Sequence, residues 1–245
     1  MGTKLIELEN VSAGYTPSIS ILNGLTIDAN AGEITLLIGP NGAGKSTVLK
    51  TLFGLLRPSA GEIRMAGKKI SGLAPRRLLA EGIAFVPQGR NLFPSLSVGH
   101  NLELGGITLP RGERRARIDE VLARFPRIRE RIGNQASTLS GGEQKQLEIG
   151  RALLLRPKLL LIDEPSIGLA PKLVDEVFSL LQVLAASGAT VLMVEQNVRS
   201  ALKIAHRALA LDMGRLAIDS PADRLLANPE LNRLFLGGGA KAVAS

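Results

Sequence analysis

The chain has 245 residues, 45% of them hydrophobic and 21% charged, which suits one large α/β domain or two small ones with a sizeable core. It has no cysteine, which excludes disulfides and thiolate metal sites, and no apolar run of the roughly 18 residues that a membrane-spanning helix needs. The net charge of +8 admits anionic partners in general, but 3% aromatics and no Trp offer no base-stacking platform, so no nucleic-acid partner is expected.

In chain order, Met1–Glu9 alternates polar and apolar residues and lacks the basic region and apolar core of a secretory signal. A cytoplasmic location is expected. Leu5–Glu9 and Leu25–Asp28 alternate with period two, as half-exposed antiparallel strands do. Ile34–Ile38, Leu159–Ile162 and Thr190–Val194 are short apolar runs, which suit strands of a parallel sheet buried on both faces. Helical periodicity follows each, over Lys45–Leu56, Lys172–Ala185 and Asn197–Ala205. That alternation predicts an α/β fold with crossover helices.

Residues 90–138 read as helices inserted into that core, punctuated by Pro94, Pro110 and Pro126. Arg111, Arg114, Arg115, Arg117, Arg124, Arg127, Arg129 and Arg131 fall here, with Glu113, Asp119, Glu120 and Glu130 between them. Mixed signs at helical spacing favour a solvated helix face over a polyanion site. The tail 237–245 reads as disordered. No internal repeat is present.

Gly39, Pro40, Asn41, Gly42, Ala43, Gly44, Lys45, Ser46 and Thr47 form the pattern G-x-x-x-x-G-K-[ST] between a buried strand and a helix. Such a loop wraps its N–H groups around a polyphosphate, with the positive end of the helix aimed at the same anion. Lys45 can reach the β- and γ-phosphates of ATP, and Ser46 can place its hydroxyl on Mg²⁺. Asp163 and Glu164 close an apolar strand, where ligands of open α/β sheets bind. Asp163 suits Mg²⁺, and Glu164 suits orienting and deprotonating an attacking water. An acid pair there could also simply cap the next helix; the loop at Gly39 favours the catalytic reading.

Ser140, Gly141 and Gly142 precede a helix running to about Leu155 and leave a second anion-binding helix end without a lysine. With Glu143 they lie in Leu139–Gln146, which resembles the LSGGQ signature of the ABC ATPases. The loop, the signature and the acid pair stand in that family's order and spacing. The resemblance covers about residues 4–236. It implies a P-loop NTPase core with an N-terminal antiparallel β subdomain and an inserted helical subdomain. On it the ATPase domain would span 1–236, with 1–89 and 155–236 as core and 90–154 as the helical part. It also implies that two copies, identical or sister ATPases, bind ATP head to tail between one loop and the other signature.

By the same resemblance Gln88 matches the glutamine that serves metal and water, and Tyr15 the aromatic on which adenine stacks, although a lone tyrosine is often simply half-buried. Ser166–Ala170 occupies the D-loop position. Val86–Phe93 and Val194–Asn197 look like the ATPase subunits of branched-chain amino acid importers, with urea and amide importers as sisters. Gln196 stands where most of the family has histidine. It could face the γ-phosphate without carrying a proton, or merely cap the helix near Asn197. Asn91–Leu96 is apolar for a loop, which suits either core packing or a docked partner helix. Permease subunits and an extracytoplasmic solute-binding protein are implied, placing the chain peripherally on the inner membrane face. Two alternatives are a soluble ABC protein of DNA repair or translation and a module that binds nucleotide without turnover. The first usually carries two cassettes or a long coiled coil, and Glu164 speaks against the second. His100 and His206 receive no role.

Overall fold

A computed structural model describes residues 2–16, 19–89 and 91–227. The tail at 237–245 lies outside them. β1 (Lys4–Ala13) and β2 (Leu22–Asn30) pair antiparallel. Ile6, Leu8, Val11 and Ala13 of β1 are buried, so the alternation slips by one residue at Asn10, which sits at φ 51 beside a register shift. That bulge hides the second half of the strand from a period-two reading. β3 (Ile34–Ile38) is buried throughout and leads into α1 (Lys45–Leu52). α1 stops short of the predicted Leu56 because Gly54, at φ +74, abuts the chain; a Cβ there would lie 2.4 Å from the Leu73 carbonyl oxygen.

β4 (Ala60–Met65) and β5 (Lys68–Lys69) complete a four-stranded antiparallel sheet in the order β2-β1-β4-β5. α2 (Pro75–Glu81) then leads to β6 (Ile83–Val86). Next come α3 (Val98–Gly105), α4 (Arg111–Arg124), α5 (Pro126–Glu130) and α6 (Gly141–Leu153). α4 buries Val121 and Leu122 and exposes most of its arginines, with Arg117 paired to Glu113 and Glu120, a solvated face as expected.

β7 (Leu159–Asp163), α7 (Pro171–Ala186), β8 (Thr190–Val194), α8 (Val198–Leu202), β9 (Arg207–Asp212), β10 (Arg215–Pro221) and α9 (Ala222–Ala227) follow. The second sheet has the order β10-β9-β3-β8-β7-β6, parallel from β9 to β6 with β10 antiparallel at one edge. Alternate residues of its strands fill two cores. Ile34, Leu36, Ile38, Leu160, Ile162, Val191 and Met193 pack with α3, α6, α7 and α8. Leu37, Leu159, Leu161, Leu192 and Val194 pack with α1 and the antiparallel sheet. This two-faced burial is why the strands read as unbroken apolar runs. The α/β core, antiparallel β part and inserted helices expected from the sequence are all present. The carboxyl ends of β3, β6, β7 and β8 share one rim, where α/β sheets bind ligands.

Candidate active site

The loop after β3 approaches the neighbouring backbone closely. A Cβ on Gly39, at φ +142, would lie 2.2 Å from the Leu211 carbonyl oxygen, so only glycine fits. Gly44 caps α1 at φ 100, and the first turn of that helix has N–H groups without helical acceptors. Pro40, Asn41 and Gly42 are exposed, while Ala43 and Thr47 are buried and anchor the loop. Lys45 is buried and donates to the carbonyl oxygens of Gly39 (2.8 Å) and Pro40 (2.9 Å). Burial pushes its ammonium pKa down, opposed by the charges of Glu164 and Asp163. An incoming polyphosphate would give that cation a stronger partner than two carbonyls.

Asp163 ends β7 and is 2% exposed; its Oδ1 accepts from Ser46 Oγ at 3.1 Å. Burial pushes the Asp163 carboxyl up and the Glu164 charge adds to it, against the Ser46 hydrogen bond and the nearby lysines. This hydroxyl and carboxylate are hard oxygen donors that fit Mg²⁺. Among the described residues no three His, Cys, Asp or Glu converge on a metal. A cation here would therefore complete its shell with phosphate oxygens and water.

Glu164 adopts φ 50, which is costly for a residue with a Cβ. Its N–H donates to the Val194 carbonyl at 2.9 Å. Its carboxylate lies between two amides: Gln88 Nε2 reaches Oε2 at 2.7 Å and Gln196 Nε2 reaches Oε1 at 2.8 Å. Direct hydrogen bonds thus join Glu164 to residues following β6 and β8, and Ser46 to Asp163, at the rim where Lys45 sits. The Gln196 side chain is turned toward Glu164, while the Asn197 N–H donates to Glu195 Oε2 at 3.1 Å.

Tyr15 is 56% exposed; its hydroxyl accepts from Lys50 Nζ on α1 at 3.1 Å, and the same ammonium lies 5.3 Å from the ring centre. Ser140 and Glu143 close a capping box, with Ser140 N–H to Glu143 Oε2 at 2.8 Å and Glu143 N–H to Ser140 Oγ at 3.4 Å. The Glu143 carboxylate, taken from the sequence as part of the phosphate surface, is engaged by that cap. Burial raises its pKa, but the Ser140 hydrogen bonds and nearby arginines outweigh this and hold it low. Gly142 packs closely against Leu173: a Cβ there would meet Leu173 Cδ2 at 2.7 Å and push that side chain aside. Ser140 and Gly141 remain exposed, and no hydrogen bond among the described residues joins them to the loop at Gly39.

Asn91 and Phe93 are tied to α6. The Asn91 N–H donates to Glu148 Oε1 at 2.8 Å, Arg151 Nη1 donates to the Asn91 carbonyl at 2.6 Å, and Arg151 lies 5.3 Å from the Phe93 ring centre. Glu148 also pairs with Lys145 at 2.5 Å, and both are buried. Beside them runs a groove of about 340 Å³ lined by Phe53, Phe85, Leu104, Ile107 and Leu155. Phe93 is 47% exposed. Two structured residues escaped the sequence reading. Glu148 shows no sequence signal beyond an acid three residues after Lys145, and Glu195 stands within the Val194–Asn197 likeness without a role of its own.

A family profile described as ABC transporter matches residues 22–167. The chain is 43% identical to the high-affinity branched-chain amino acid transport ATP-binding protein BraG of Pseudomonas aeruginosa, over 96% of this chain and 100% of that protein. Among solved structures it resembles the ADP conformation of an ATP-binding cassette of an ABC transporter, with a TM-score of 0.85, 27% identity and coverage of 95% of this chain and 98% of the other. It also resembles a dimeric, post-hydrolysis ATP-binding cassette bound to ADP and Pi, with a TM-score of 0.78, 29% identity and coverage of 89% and 99%. Sequence and fold agree, and the chain belongs to the ABC transporter family as an ATP-binding, ATP-hydrolysing subunit.

Proposed function

We propose that this ATPase powers a membrane importer of branched-chain or other hydrophobic amino acids. The observation that carries the catalytic part is the Glu164 carboxylate, fixed between the Gln88 and Gln196 amides, beside the Ser46–Asp163 pair. Lys45 and the N–H groups at the start of α1 bind the β- and γ-phosphates, and Tyr15 stacks on adenine. Ser46, Asp163 and Gln88 hold Mg²⁺, which when bound neutralises charge on the transferring phosphoryl group. Glu164 orients the attacking water and takes its proton. Gln196 donates a hydrogen bond to the γ-phosphate and, having no titratable proton, leaves proton transfer to Glu164.

The exposed Ser140–Gly141 end of α6 completes the phosphate site of a second copy, identical or a sister ATPase. ATP thereby holds the dimer closed, and hydrolysis opens it. No helix among the described residues is long and apolar enough to cross a membrane. We therefore assign translocation to separate permease subunits, seated on the groove beside Phe93, with a solute-binding protein delivering the solute from outside. This puts the chain on the cytoplasmic face of the membrane. The amino-acid assignment rests on the likeness to BraG. Reconstitution with its permease tests it: ATP-dependent uptake of leucine, isoleucine or valine is expected, and uptake of urea or short amides alone would refute it.

A further inference from the structure

Glu195 is 2% exposed, yet no basic side chain pairs with it among the described residues. Three neutral donors converge on it instead: Ser166 N–H to Oε1 at 2.7 Å, Ser166 Oγ to Oε2 at 2.8 Å, and Asn197 N–H to Oε2 at 3.1 Å. Keeping an acidic side chain in such a place costs desolvation that a small neutral residue would avoid. What the three donors share is their position. Ser166 is two residues beyond Glu164, and Asn197 directly follows Gln196. The turn carrying Glu164 and the turn carrying Gln196 are therefore joined twice, by the Gln196–Glu164 hydrogen bond and by the Glu195 carboxylate behind it. Glu164 also sits at φ 50, a strained backbone that persists only where its surroundings over-determine it. Its N–H is tied to Val194, and Glu195 grips the chain on its other side.

We propose that Glu195 is a positioning residue: it locks the Ser166 turn to the Gln196 turn and so fixes the Glu164 carboxylate relative to the γ-phosphate. The inference rests on Glu164 acting as the base. It assigns Glu195 no contact with nucleotide, which predicts a change in kcat without a change in ATP affinity.

The test measures steady-state Mg-ATP hydrolysis by the full chain and its Glu195→Ala, Glu195→Asp, Glu195→Gln, Ser166→Ala and Glu195→Ala/Ser166→Ala variants. A misplacement near 1 Å costs about 10²-fold, so kcat of Glu195→Ala is expected to fall about 10- to 100-fold with KM within about threefold of wild type. Glu195→Asp, whose carboxylate is withdrawn by one methylene, should be similarly slow. Glu195→Gln keeps the reach and one acceptor, but its NH₂ must face the backbone N–H of Asn197 or of Ser166, so it should recover part of the loss and run faster than both Glu195→Ala and Glu195→Asp. Adding Ser166→Ala to Glu195→Ala should cost nothing more. Wild-type kcat in Glu195→Ala or Glu195→Asp, or losses from Glu195→Ala and Ser166→Ala that multiply, would overturn the proposal. Where Glu195→Ala melts early, the Asp and Gln variants decide: slow and rescued supports the brace, equal rates overturn it. A wild-type chain that binds ATP without hydrolysing it overturns the reading of Glu164, and the brace with it.

Discussion

Replacing Phe93 by alanine separates a docking surface from a core position. A fully buried phenylalanine truncated to alanine costs about 3–5 kcal/mol. Phe93 is 47% exposed, and what it visibly loses is the Arg151 guanidinium over its ring, an interaction worth about 0.5–1 kcal/mol at an exposed site. The loop itself does not depend on the ring, because Asn101 holds the Phe93 N–H at 2.9 Å and its carbonyl at 3.0 Å. The expected cost is therefore about 1 kcal/mol, which lowers Tm by about 2–4 °C in a chain of this size. Basal ATP hydrolysis by the isolated subunit should be unaltered, while co-purification with the permease should weaken. Differential scanning fluorimetry and a pull-down on the same preparation decide it. A Tm loss near 10 °C would make Phe93 core, and undiminished permease capture would refute the docking role.

Asp163→Asn should stabilise the nucleotide-free protein while abolishing Mg²⁺-dependent turnover. Burial raises the Asp163 pKa above its unfolded value, so its stability contribution is full below the unfolded pKa and is lost as pH rises through the folded one. The variant's higher Tm at neutral pH should accordingly vanish in acid; a lower Tm at neutral pH would contradict the burial argument. Gln196→Ala should lower kcat with little loss of ATP affinity, Gln196→His should remain active, and Gln196→Glu, a carboxylate facing both Glu164 and the γ-phosphate, should be poor. Full activity in both the alanine and glutamate variants would remove Gln196 from the site.

The parallel strands were legible because burial on both faces leaves an apolar run between glycine or proline breaks, as at Ile34–Ile38 and Thr190–Val194. The phosphate loop was legible because the close approach of Gly39 to Leu211 demands glycine at a fixed distance from Lys45. The bulge at Asn10 and the early end of α1 at Leu52 were not, since both depend on contacts with distant residues. The same limit hid Glu195: sequence places an acid after a strand but cannot say that Ser166, 29 positions earlier, turns back to meet it. Gln88 and Gln196 entered through likeness to a family. Their convergence on one carboxylate exists only in the folded sheet, where β6, β7 and β8 lie side by side.

The central claim is that Glu164 drives hydrolysis of an ATP that holds two copies together. Its most direct test is size-exclusion chromatography of Glu164→Gln with and without Mg-ATP, beside a turnover assay. Loss of a positioned base costs about 10²–10⁴ in rate. The expected result is a slow enzyme that binds ATP normally and elutes as a dimer only when Mg-ATP is present. A Glu164→Gln protein that stays monomeric with ATP bound, or that keeps wild-type turnover, would contradict the account.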